Sequence, residues 1–215
     1  MDEIAPGIFR WTAPHPTWRP TVEEVVSFAI VDRGVLAIVD PQLPAASDGR
    51  RVAVLRKLDE LVAGVARLEL LITLPYHTRS SETLYERYWS RLPTRIHGHS
   101  GVKARLTRHA PMTVIPTGAP GSAAEIADGT ALAFTIGRPR RSESPLLFPQ
   151  LRAVAFGDAV VGTADGLRFW NQNGASADWY RDVFAPTLRP LLKHDIDHVL
   201  VTHGQCAVGE GRRAL

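Results

Sequence analysis

At 215 residues, with 45% hydrophobic and 22% charged side chains, the chain has the make-up of one globular domain with length enough for a real core. Its formal net charge of +3 rests almost wholly on arginine, since Lys57, Lys103 and Lys193 are the only lysines, and so mild an excess without an aromatic-basic stripe excludes nucleic acid as the expected partner. A single cysteine, Cys206, excludes a disulfide framework, and no apolar stretch is long enough to span a bilayer.

The N-terminal MDEIAPGIF carries acid where a signal peptide carries base, so a cytoplasmic protein is expected. Gly7 to Thr12 alternates as a first strand, and the proline-rich stretch Ala13 to Pro20, with His15 and Trp18, is a loop. Glu24 to Val31 and Val35 to Val39 are apolar runs around the hairpin signal Asp32-Arg33-Gly34. The second run stops at a polar residue, Asp40. Asp48 to Gly64 has helical spacing, with Val52, Leu55, Leu58 and Val62 on one face and Gly64 as a stop.

Leu68 to Arg79, LELLITLPYHTR, is a buried strand broken at Pro75, and a helix follows from Ser80 or Ser81, whose hydroxyls suit an N-cap. That helix sets Leu84, Tyr88 and Leu92 on one face. Thr94 to His97 is a short strand and Gly101 to Arg108 a short helix. Further strands are expected at Thr113 to Pro116, Ala131 to Ile136, Pro145 to Phe148 and Ala153 to Phe156, the last two joined by a tight turn. Ser176 caps a helix running to Phe184, which Pro186 and Pro190 break or kink. Val199 to Thr202 is the last strand, and VGEGRRAL ends in a short helix. Strands, strand–helix units and strands again suit a sandwich of two mixed sheets with helices outside, in one domain covering 1–215.

Three strands end in chemistry-bearing groups: LPYHTR after the central strand, FGDAVVG (Phe156 to Gly162) and VLVTHG (Val199 to Gly204). The succession GIFRW, VVSFAIVDRGVLAIVDP, LLITLPYHTRSSE, AVAFGDAVVG, HVLVTHG resembles the metallo-β-lactamase superfamily. The resemblance implies an α/β (α+β type) αββα sandwich with its active site at one edge between the sheets. It also implies that Asp158 matches the aspartate bridging two metals, and His203 the last metal-binding histidine.

The family motif H-x-H-x-D-H should follow the central strand, but its ligand positions fall on Leu74, Tyr76, Thr78 and Arg79. A further ligand histidine, within G-H-x-x-G-S, is matched by Arg138 of GRPRRS. Two cations about 3.5–4 Å apart need a full set of anionic and imidazole donors. Asp158 and His203 alone cannot supply it, and guanidinium groups repel a cation. The expectation is that Arg79 or Arg138 pairs with Asp158 in place of metal charge.

The first reading is therefore an eroded dinuclear site with no cofactor, whose cleft binds a small anionic molecule through Tyr76, Arg79, Arg138 and Arg141. The second adds His77, one place off the motif register, to Asp158 and His203 as a two-histidine, one-carboxylate site for one divalent metal, Zn or Fe, in a hydrolase using water. The third is a non-catalytic scaffold or interaction protein. His97 and His99 have strand spacing for a shared face, but Gly98 and Ser100-Gly101 favour a loop without further donors. His109 and His194 belong to the surface, and His198 caps or packs. Trp170 and Trp179 suit a cleft roof or the core, and Cys206 an inert buried thiol.

Overall fold

The structure, a computed structural model, describes residues 1–15, 24–107, 110–171 and 174–215; Trp18 with its loop, and His109, lie outside them. Seven strands form the first sheet in chain order: β1 (Asp2–Ala5), β2 (Ile8–Pro14), β3 (Glu24–Asp32), β4 (Val35–Val39), β5 (Arg67–Ile72), β6 (Thr94–Gly98) and β7 (Met112–Val114). β1 to β4 are antiparallel, whereas β4 to β7 run parallel. Parallel neighbours need crossovers, here α1 (Arg50–Ala63) between β4 and β5 and α2 (Ser81–Tyr88) between β5 and β6.

The second sheet begins with β8 (Ala123–Ile126), β9 (Ala131–Phe134), β10 (Leu146–Phe148) and β11 (Ala153–Phe156). A separate hairpin follows, β12 (Val160–Thr163) with β13 (Gly166–Phe169). β14 (His198–Val201) then pairs parallel with β11, and β15 (Ala207–Val208) closes that edge. The strands absent from the sequence reading (β1, β8, β12, β13 and β15) are two to four residues long, too short to show a period-2 pattern.

Alternation along each strand sends side chains to opposite faces. Leu71, Phe28 and Ile30 meet Leu146, Phe148 and Leu200 between the sheets. Leu70, Leu36 and Ile38 pack outward on Val54, Leu58, Leu84 and Tyr88 of the two helices. Phe156, Val154 and Val201 pack on Tyr180, Phe184 and Leu191 at the opposite surface. The result is four layers, helix, sheet, sheet, helix.

Several local readings change. The buried stripe of α1 is Val54, Leu58 and Val62, an i, i+4, i+8 row, while Val52 lies off it and is 73% exposed. Ser80 sits at the start of α2, but its hydroxyl accepts the Leu43 N–H at 2.9 Å instead of capping. That bond ties α2 to the chain just past Asp40. The helix expected to end near Phe184 continues to Leu188: Tyr180–Phe184 widens into a π-type turn just before Pro186, whose missing N–H a regular helix would need. Ser176 does cap this segment, accepting the Trp179 N–H at 3.1 Å. The helix expected over 101–108 is one turn, Ser100–Lys103. Among the described residues no helix is long and apolar enough to cross a membrane.

Because β4 is parallel to β5, and β11 to β14, each pair ends at the same side of its sheet. The carboxyl ends of these strands share one edge of the sandwich, where the Val26 N–H donates to Thr202 O at 2.8 Å across the sheets. Open α/β sheets place their ligands at such ends.

Candidate metal centre

Asp40, immediately after β4, is the hub of the site and is fully buried. Its Oδ1 accepts the Thr73 N–H at 2.8 Å, and its Oδ2 accepts the Thr73 hydroxyl at 2.5 Å and the Thr202 hydroxyl at 3.4 Å. His77 Nδ1 lies 2.8 Å from the same Oδ2. Burial alone would push this carboxyl up; the charges of His77 and Arg79, with these hydrogen bonds, bring it below the ordinary aspartate value. An ionised carboxylate only accepts, so Nδ1 of His77 carries the hydrogen and Nε2 faces the cleft.

His77 occupies the 3₁₀ turn Pro75–Thr78 that follows β5 and is 4% exposed. Its Nε2 is 3.4 Å from Asp158 Oδ1. His203, just past β14, brings its own Nε2 to 3.4 Å from that same oxygen. The three donor groups, His77, Asp158 and His203, lie within 4.8 Å of one another. Burial and Arg79 pull the His77 imidazole down, but Asp40 and Asp158 outweigh them and raise its pKa above 6.5. Burial likewise opposes the ionised Asp158, and His203 and His77 reverse it, holding the carboxyl far below the usual range.

The His203 loop reaches Asp158 through a backbone contact that only glycine permits. Gly162 donates its N–H to His203 O at 2.9 Å, and a Cβ on Gly162 or Gly204 would collide with the backbone opposite. Gly204 also has φ +83°. Asp40 and Arg79 carry positive φ as well, +47° and +38°, an unusual backbone for residues with side chains and one found at functional sites.

Two guanidinium groups flank the triad. Arg79 donates from Nη1 to Asp40 O at 3.2 Å, and both Asp40 and Asp158 act on its charge. Arg140 Nη1 is 3.9 Å from Asp158 Oδ2, and its Nη2 donates to Trp170 O at 3.1 Å. Asp158 thus turns Oδ2 toward Arg140 and Oδ1 toward the imidazoles, and Oδ1 is buried without a hydrogen bond among the described residues. Arg79 Nη2 and Arg140 Nε are buried donors in the same condition.

The arginine beside Asp158 is therefore Arg140, not Arg138. Bonds from Arg140 N–H to Gly137 O and from Glu143 N–H to Arg140 O form successive turns that carry Arg140 and Glu143 inward, while Arg138 and Arg141 are exposed. Tyr76 is 67% exposed, with the Arg105 guanidinium 4.0 Å over its ring. His15 stacks at 6.4 Å on His203, and Trp170 meets that ring edge-on at 4.5 Å, forming the rim of the cleft. Trp179 packs on Tyr180 instead.

Other candidates are accounted for elsewhere. His97 Nε2 is 2.8 Å from buried Glu69, while His99 caps a turn by accepting the Gly101 N–H. His198 accepts the Gly209 N–H and His194 packs on Phe134. Burial pushes the Cys206 thiol up, the opposite of an activated nucleophile. Sequence reasoning left Asp40, Thr73 and Glu143 unassigned, and read Arg140 only as one of the run Arg138-Pro139-Arg140-Arg141, either a solvated loop or an anion-binding wall; the signal available for Asp40 was its place at a strand end.

Among the described residues His77, Asp158 and His203 are the one group of at least three His, Cys, Asp or Glu side chains close enough to share an ion, and the buried Arg79 guanidinium brings positive charge beside it, a donor set for one cation and not for a pair. One divalent cation does fit. A catalytic zinc commonly takes three protein ligands plus water, and a metal-binding imidazole commonly has its other nitrogen anchored to a carboxylate, as Asp40 anchors His77.

No protein-family model matches the sequence, and no curated protein matches it either. Among solved structures, the chain is similar to DIM-1 metallo-β-lactamase exposed to ceftazidime, at 14% identity and TM-score 0.67, over 99% of this chain and 92% of that one. It is similar to TMB-1 at 14% identity and TM-score 0.64, over 99% and 92%. It is also similar to a metallo-β-lactamase from Erythrobacter litoralis with β-mercaptoethanol in its active site, at 15% identity and TM-score 0.66, over 99% and 91%.

Proposed function

We propose that this chain, which has the metallo-β-lactamase fold, is a hydrolase that works with one divalent cation and acts on a small anionic substrate. The observation that carries the reading is the convergence of His77 Nε2 and His203 Nε2 on Asp158 Oδ1, each at 3.4 Å, with no closer hydrogen bond to that oxygen among the described residues. His77, Asp158 and His203 would hold the cation. When bound, a divalent ion supplies Lewis acidity and lowers the pKa of a coordinated water.

The chain's own groups supply the rest. Asp40 holds the His77 ring so that Nε2 faces the cleft. Arg140 balances the oxygen of Asp158 turned from the imidazoles. Arg79 places fixed positive charge at a motif position where the superfamily keeps a ligand, so a second cation is not required. The positive charge of Arg79 and Arg140 beside the triad suits a carboxylate or phosphate on the substrate.

Calorimetric titration of chelator-treated protein with zinc tests this: about one equivalent should bind, and at least about tenfold more weakly in His203→Ala, as expected when one of three ligands is removed. A protein that takes up no zinc would favour a second reading. In it the raised pKa of His77, between Asp40 and Asp158, keeps an imidazolium in the cleft and the site binds an anion without metal. Phosphate would then bind the metal-free protein, and more weakly in Arg79→Met.

A further inference from the structure

Glu143 is 1% exposed and sits at the end of the loop that joins β9 to β10. Its carboxylate grips the backbone on which Asp158 is mounted. Oε1 accepts the Gly157 N–H at 2.9 Å and Oε2 accepts the Asp158 N–H at 3.1 Å. Successive amides converging on one anion form a nest.

The grip is anchored at both sides. The Ser144 N–H donates to Thr73 O at 2.8 Å, fixing the neighbour of Glu143 to the end of β5. Gly157 is enclosed: a Cβ there would strike Leu74 and press on Thr73 Oγ1, with the Glu143 carboxyl carbon 3.4 Å away. Thr73 is also the residue that binds Asp40. Thr73, immediately after β5, therefore braces the carboxylate that orients His77 directly and the peptide that carries Asp158 through Ser144 and Glu143. Within the 137–144 loop, Arg140 faces the Asp158 side chain and Glu143 its main chain, linked by the Glu143 N–H to Arg140 O bond of 2.8 Å.

We infer that Glu143 is the positioning residue for Asp158: by fixing the Gly157–Asp158 peptide it aims Oδ1 at the two imidazole nitrogens. A buried carboxylate is costly, and a residue serving only to fill volume would be apolar. Two charge-assisted bonds to adjacent amides offset that cost and leave the Asp158 side chain little freedom. The functional consequence rests on the one-cation reading above; the hydrogen bonds do not.

The test compares wild type with Glu143→Gln, whose amide can accept from one of the two N–H groups but must present a donor to the other. In metal-free protein followed by NMR, one of the Gly157 and Asp158 amides should exchange about tenfold faster in the variant, since only one of the two can keep its acceptor, with protection away from this contact unchanged. Zinc affinity should fall about 10- to 100-fold, as for other residues that orient a ligand. The d–d absorption of the folded, cobalt-loaded variant should change in shape, which loss of general stability would not produce. Unchanged amide exchange and unchanged zinc affinity would overturn the inference. If wild type binds no zinc, the one-cation reading fails while the amide exchange still decides the role of Glu143. Should the glutamine variant not fold, Glu143→Asp keeps the charge but is shorter, and the same two amides must lose protection for the inference to stand.

Discussion

Asp40 Oδ2 lies 2.8 Å from His77 Nδ1, a contact between buried groups 37 residues apart that determines which imidazole nitrogen faces the cleft. Asp40→Asn tests its importance. Asparagine can still accept from Nδ1, but its amide then opposes the Thr73 N–H or a threonine hydroxyl. The expected loss is about 10- to 100-fold in zinc affinity, and about 1–3 kcal/mol in the stability of the metal-free protein from a buried group left unpaired. Calorimetry and urea unfolding measure the two separately.

The same contact gives the metal-free protein a characteristic pH dependence. Asp40 and Asp158 have lowered pKa values, so their stabilisation is present above the unfolded carboxylate value and is lost as pH falls through the native one. His77 has a raised pKa; its stabilisation is full below 6.5 and is lost as pH rises through the native value. Glu143, pushed up to about 7 by burial and by Asp158, also loses stabilising effect as pH rises from 4.5 to about 7. The urea midpoint should therefore be highest in the mildly acidic range and decline toward alkaline pH. His77→Asn should reduce that decline; a midpoint that climbs steadily to alkaline pH in wild type would contradict the assignment.

Gly162 and Gly204 bring the His203 loop against β12, which follows Asp158, by a backbone contact with no room for Cβ. Gly162→Ala should force the two segments apart, destabilising by about 2 kcal/mol or more. For a chain of this length that is a fall of roughly 4–8 °C in melting temperature, read by calorimetry. Gly129→Ala, where a Cβ meets nothing within 4 Å but φ is +79°, is the comparison that isolates backbone strain from collision.

Arg140 should contribute to anion binding as well as to Asp158. A thermal-shift series with phosphate and small carboxylates should raise the melting temperature of wild type. Arg140→Ala should need about tenfold more anion for the same shift, the worth of one charge-assisted bond. Arg138→Ala, at an exposed position of the same loop, should behave as wild type.

The four-layer arrangement and the ends of β5, β11 and β14 were legible because each strand is a largely apolar run followed by polar residues. Asp40 was visible as such an ending yet had no assigned role, because its partners Thr73, His77 and Thr202 lie 33, 37 and 162 residues away. The run Arg138-Pro139-Arg140-Arg141 advertised positive charge but not its direction; two successive turns, invisible in composition, send Arg140 inward. Val52 shows the same limit on a helix, where four apolar residues spread over a wide arc and packing selected Val54 instead. Glu143 left no sequence signal, since what it binds is main chain.

The most direct test of the whole reading is anomalous scattering from a crystal grown with zinc. One peak is expected at about 2.0–2.2 Å from His77 Nε2, His203 Nε2 and Asp158 Oδ1, with none beside Arg79. Two peaks sharing Asp158, or no peak at the triad, would contradict it.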